Sequence, residues 1–124
     1  WSGVADSDYD FATVKYGPTG KVRWTRTYDG PNSNESFDYG RAVALDPSGN
    51  VYVAGESRND RANHDIVAIK YDRAGLQAWL ATYDGPAQLE DSAQAVVVDT
   101  TGNIFVAGTS AGIGTGSDII VIKY

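Results

Sequence analysis

An all-β chain built from about two repeats of four antiparallel strands is predicted by three observations on this 124-residue sequence. The chain matches itself at a nearly fixed offset, which is the mark of a repeat architecture. Its apolar residues fall in short runs rich in Val, Ile, Ala and Tyr, separated by Gly, Asp and Asn turn residues. No window of about ten residues or more carries a helical 3.6-residue period with caps.

The repeat is explicit. Lys15-Tyr16 recurs as Lys70-Tyr71 and as Lys123-Tyr124, and Tyr28-Asp29-Gly30-Pro31 recurs as Tyr83-Asp84-Gly85-Pro86. Trp24 answers to Trp79 at the same offset of 55. Asp46-x-x-Gly49-Asn50-Val51-Tyr52-Val53-Ala54-Gly55 matches Asp99-x-x-Gly102-Asn103-Ile104-Phe105-Val106-Ala107-Gly108 at an offset of 53. The two-residue difference lies in residues 32–36, a stretch that reads as a surface loop tolerant of insertion. The organisation is one module: unit one over 2–55, unit two over 56–108, and a partial repeat over 109–124 that copies positions already filled by 1–16.

Each unit holds four runs with strand character. Residues 40–46 and 93–99 are short, apolar and rich in Val and Ala. They lead through Asp-x-x-Gly-Asn turns into 51–55 and 104–108, so each pair forms a hairpin. The third run, 11–16, 66–71 and 119–124, is apolar on both alternating faces, which predicts a strand covered on both sides. The fourth, 22–28 and 77–83, carries Trp with polar neighbours such as Arg23 and Arg26 and suits an outer edge.

Four antiparallel strands repeating about every 40 to 50 residues are the unit of a β-propeller blade. The series Asp-x-x-Gly-Asn-(Val/Ile)-(Tyr/Phe)-Val-Ala-Gly-x-Ser, then Asp-(Phe/Ile)-x-x-(Val/Ile)-Lys-Tyr, then Gly-x-x-x-Trp-x-x-Thr-Tyr-Asp-Gly-Pro resembles the SBBP repeat, the seven-bladed β-propeller repeat of bacterial and archaeal extracellular proteins. NHL-type blades are a more distant likeness. The resemblance implies a propeller fold and a place outside the cell or on its surface. It implies no particular activity, because propellers host enzymes, lectins and scaffolds alike.

Residues that recur in every repeat serve the repeat first. Gly49 and Gly102 supply turn geometry, Asn50 and Asn103 bond local backbone, and Asp46 and Asp99 accept N–H bonds within the same turns. Trp24 and Trp79 are expected to cover the outer part of each blade. Lys15, Lys70 and Lys123 either pair with Asp10, Asp65 and Asp118 or extend to solvent. Two blades are too few to close a ring, since propellers use about 4–8. The uncovered faces therefore call for neighbours, either blades of a longer chain or further copies of this one in a ring or filament.

Composition excludes several functions. A net charge of −6 argues against binding a phosphate backbone. The absence of Cys removes disulfides, thiolate metal sites and thiol nucleophiles. No apolar stretch approaches the ~20 residues of a membrane-spanning helix. His64 is the only histidine and falls in a variable loop, where an exposed position is expected and no nucleophile pattern accompanies it. Residues 112–116, Gly-Ile-Gly-Thr-Gly, precede a strand rather than a helix and so form no dinucleotide site. Residues 34–36 match a glycosylation sequon.

Asp6, Asp8 and Asp10 resemble the start of an EF-hand loop, but Phe11 and Gly17 stand where its Gly and Glu are required. A looser Ca²⁺ site on these three residues is the one metal candidate, and no other cofactor is expected. Tyr9 and Tyr39 are the aromatic candidates for a ligand, because the remaining aromatics fall mostly at recurring strand positions. The sequence thus predicts a non-catalytic extracellular module for structural or recognition work that self-associates through its unfinished ends. A sugar-binding propeller that oligomerises is the alternative, and an enzyme fragment ranks last.

Overall fold

Alternation of apolar side chains on both faces builds a stack of small sheets. The computed structural model describes residues 9–30, 37–58, 63–112, 114 and 116–124. Among them, nine strands run in order: β1 (Phe11–Tyr16), β2 (Val22–Tyr28), β3 (Asp38–Leu45), β4 (Val51–Arg58), β5 (His64–Tyr71), β6 (Gln77–Tyr83), β7 (Asp91–Val98), β8 (Ile104–Gly112) and β9 (Gly116–Lys123). They form three antiparallel sheets, β1-β2, β3-β4-β5-β6 and β7-β8-β9. Only the central sheet has all four strands of a blade, and the polar, Trp-bearing β6 is its edge, as its composition predicts.

The hairpin β3-β4 is longer than the sequence pattern suggests. Pairing continues past Gly55 to Ser57, opposite Asp38, and the β7-β8 hairpin continues past Gly108 to Ser110, opposite Asp91. Gly55 and Gly108 read as strand ends because glycine is usually punctuation, yet here each lies inside a strand beside a bulge. The register slips by one residue between Gly40 and Ala42, and again between Ala93 and Ala95. At the slip the facing backbone comes so close that a Cβ on Gly55 would overlap the Tyr39 carbonyl oxygen, and one on Gly108 would overlap that of Ser92. Only glycine permits this approach.

Two cores follow from the two faces of the central sheet. Val51 and Val53 of β4, with Val67, Ile69 and Tyr71 of β5, pack against Phe11 and Trp24 of the first sheet. The alternate residues Tyr52, Ala54, Ile66 and Ala68 pack against Ala93, Val96, Ile104 and Val106 of the last sheet. The Trp residues fill space between sheets. Trp24 is buried against Tyr71, with ring centroids 5.6 Å apart, and its Nε1 donates to the Arg73 carbonyl at 3.3 Å. Trp79 lies between Tyr52 at 6.3 Å and Tyr124 at 5.6 Å. The recurring lysines extend along aromatic rings, with Lys70 Nζ 5.4 Å from the Tyr52 centroid and Lys123 Nζ 5.8 Å from that of Phe105. Lys15 Nζ donates to the Arg73 carbonyl at 3.3 Å.

In the Asp-x-x-Gly-Asn turns the Asp carboxylates accept backbone N–H bonds as the sequence predicts, while the Asn side chains donate to those carboxylates rather than to backbone. Asp99 Oδ1 accepts from the backbone N–H of Thr101 at 2.9 Å and of Asn103 at 2.8 Å, and Oδ2 accepts from Asn103 Nδ2 at 2.7 Å. Asp46 repeats the pattern with Ser48 and Asn50 and adds the Tyr52 hydroxyl at 3.0 Å. Gly49 and Gly102 take φ of 85° and 87°, a left-handed conformation that favours glycine. These donors, the Asn103 amide first, hold the Asp99 carboxyl down to about 2. The Asn50 amide likewise lowers Asp46.

Two outcomes are expected. Gly55→Ala forces the backbone apart at the bulge and lowers stability by about 1–3 kcal/mol, seen as a lower urea midpoint at unchanged m-value. Because the Asp99 carboxyl titrates below its unfolded value of about 3.9, its stabilisation is present above that pH and fades as pH falls toward about 2. Thermal melts across this range should fall less steeply for Asp99→Asn than for the parent.

Candidate functional site at the blade faces and junctions

The repeat allows the same side chain to be compared in covered and uncovered settings. Ile66 of β5 faces the last sheet and is fully buried, whereas its counterpart Ile119 of β9 is 87 % exposed. Ala68 and Val121 stand in the same relation, at 2 % and 64 %. The face of the central sheet that meets the first sheet shows the same effect, because the first sheet has only two strands to cover it. Val96 of β7 is 7 % exposed against the central sheet, while its counterpart Val43 of β3 is 60 % exposed. Val43 lies beside a cleft of about 300 Å³ bordered by Phe11, Val14, Gly40, Arg41 and Val53. Each sheet therefore keeps the apolar face of a stacked blade even where nothing stands against it.

Between sheets, the chain turns at a corner whose chemistry recurs. Asp38, the first residue of β3, is buried, and its Oδ2 accepts the backbone N–H of Gly30 at 2.7 Å. Asp91, the first residue of β7, does the same for Gly85 at 2.7 Å. Each carboxylate thus anchors the Tyr-Asp-Gly turn leaving one sheet to the opening strand of the next. Two further carboxylates join each corner: Asp10 and Asp29 beside Asp38, and Asp65 and Asp84 beside Asp91, each group offering oxygens within 4.8 Å of one another. These groups are the only places among the described residues where three such side chains meet at metal-binding distances.

The structure redistributes the residues singled out from sequence. Asp10 belongs to the first corner, with Asp29 and Asp38, while Asp6 and Asp8 lie outside the described residues. His64 is not an exposed loop residue. It opens β5 because pairing with β4 extends to Arg58, and its Nδ1 lies 2.7 Å from Glu90 Oε2. Tyr9 is exposed and stacks on Phe37 at 5.6 Å, and the Arg58 guanidinium lies 5.6 Å from the Phe37 ring. Tyr39 sits 6.1 Å from His64, with Arg41 over its ring and ion-paired to the buried Glu56. Both aromatic candidates thus sit beside the corners.

The corner carboxylates Asp29, Asp38, Asp84 and Asp91 are candidate site residues that the sequence pattern did not single out. Their signal was present: each recurs at the offset of its neighbours, inside or just after the Tyr-Asp-Gly-Pro motif. In one dimension that motif serves only as a mark of the repeat, which hides the role of its carboxylates.

Residues 34–60 match the model of a known family, SBBP, the β-propeller repeat. This stretch is similar to an SBBP repeat. Its described part holds β3, the Asp46 turn and β4, and so the bulge, Asp38 and Ser57. The SBBP match carries neither a blade number nor the likeness to NHL-type blades. No curated protein matches the chain.

Asp91→Ala leaves the Gly85 N–H buried without its acceptor and is expected to cost about 1.5–3 kcal/mol. Asp91→Asn retains an acceptor oxygen and should recover much of the loss in the same denaturant titration.

Proposed function

We propose that the chain is a non-catalytic β-propeller module that works by taking further blades of the same kind against its two uncovered faces, as a scaffold or a protein-interaction unit. The contrast between Ile66 and Ile119, one residue type in one register with opposite burial, carries this reading. Covering such a side chain releases about 1.5–3 kcal/mol, so an exposed Ile119, Val121 and Val97 on one face favour association strongly. The face of the central sheet that the two-stranded first sheet covers only in part offers Val43 and Leu45. The two faces differ, so copies meet head to tail and build rings or filaments rather than two-fold pairs. β1 and β9 fill the same repeat position, so one of them yields where copies join.

The family resemblance supports a bacterial or archaeal module outside the cell or on its surface. Among the described residues no helix is long and apolar enough to cross a membrane. A sugar-binding propeller is the second reading, favoured by the exposed Tyr9–Phe37 stack and the neighbouring Tyr39. A glycan array on assembled protein distinguishes it. Hits lost on Tyr9→Ala and Tyr39→Ala support a sugar site, and an empty array removes it.

Light scattering on native protein tests the main reading. A particle of several times 13.2 kDa, or fibres in negative stain, is expected, and Ile119→Asp with Val121→Asp should reduce it to a folded 13.2 kDa monomer. A parent chain that is already a stable, soluble monomer at high concentration overturns self-association.

A further inference from the structure

We propose that Asp65, Asp84 and Asp91 form a Ca²⁺ site that clips the central sheet to the one after it. The three carboxylates come from separate stretches of chain: the start of β5, the turn leaving β6 and the first residue of β7. One oxygen from each lies within 4.8 Å of the others, a spread that fits around a cation with oxygen ligands at about 2.3–2.6 Å. Three negative charges held this close repel one another, and a divalent cation among them turns that repulsion into attraction.

A second observation points to a ligand. Asp91 is 1 % exposed, and while its Oδ2 accepts the Gly85 N–H, its Oδ1 is buried with no hydrogen-bond partner. An orphan carboxylate oxygen in that setting is costly, and a metal ion is one of the few groups that satisfies it. Gly85 packs directly against this oxygen: a Cβ there would lie 2.8 Å from Asp91 Oδ1 and would overlap the hydroxyl of buried Ser110.

The donors are carboxylate oxygens, with a hydroxyl at the border, which suits a hard cation rather than zinc or copper. The first corner repeats the arrangement with Asp10, Asp29 and Asp38, and Ser57 stands opposite Asp38 as Ser110 stands opposite Asp91. Each site joins residues of two successive sheets, so bound Ca²⁺ stabilises their junction in proportion to its occupancy. The inference rests on corner geometry alone and is independent of any self-association.

Equilibrium dialysis of the chelator-treated chain against Ca²⁺ tests it, at about 1 mM free ion and about 0.15 M ionic strength, so that diffuse surface charge is screened. The parent should take up Ca²⁺, and Asp84→Asn, an exposed position whose change leaves the core intact, should take up one equivalent less. Ca²⁺ should also raise the parent's melting temperature, with a smaller rise in Asp84→Asn and an undiminished one in Asp99→Asn, whose carboxylate lies in a hairpin turn. Absence of uptake by the parent, or uptake unchanged in Asp84→Asn, overturns the site.

Discussion

The structure depends on burying both faces of each small sheet. An isolated two-stranded sheet is marginal in water, so β1-β2 is not a stable unit without the central one. β5 makes the dependence concrete: Ile66 and Ala68 enter one core while Val67 and Ile69 enter the other, and all four are buried. A period of two, apolar on both phases, is what lets one strand serve two interfaces. The same strand sequence placed at the end of the stack, as β9, leaves its outward residues in water.

Side-chain volume then shapes the stack. The interface between the central and last sheets is lined at one edge by Ala42, Ala44 and Ala93 and at the other by Trp79, Tyr83 and Tyr124. Small residues along β3 and β7 and rings toward β6 make a wedge, the packing that suits sheets fanned about an axis. The corner carboxylates set where each wedge begins. Asp38 and Asp91 hold the turn leaving one sheet against the first residue of the next, so the step between sheets is fixed by a buried hydrogen bond as well as by apolar contact.

Most of the fold was legible because its signals are local. The bounds of β1, β2 and β6 coincide with the runs read from sequence, and the Asp46 and Asp99 turns bond as their spacing implies. The hairpin ends were less legible. Gly55 and Gly108 carry the meaning of a stop in a one-dimensional pattern, and only the facing carbonyl of Tyr39 or Ser92 explains why a glycine continues the strand. His64 was misplaced for the same reason, since its strand position depends on a partner strand that runs longer than its own pattern shows. The corners were the least legible part. Their carboxylates are separated in sequence by a whole hairpin, and the acidic cluster most visible in one dimension, Asp6, Asp8 and Asp10, shares only Asp10 with them.

The complete sheet spans 38–83, so it takes its first two strands from one sequence unit and its last two from the next. Duplication or loss of one 53- or 55-residue unit would thus splice two half-sheets together at an existing hairpin, with both inter-sheet latches retained. Genetic change can then lengthen or shorten such an array by one whole blade at a time without designing a new interface. The two-residue difference in unit length falls in the stretch 32–36 of the sequence.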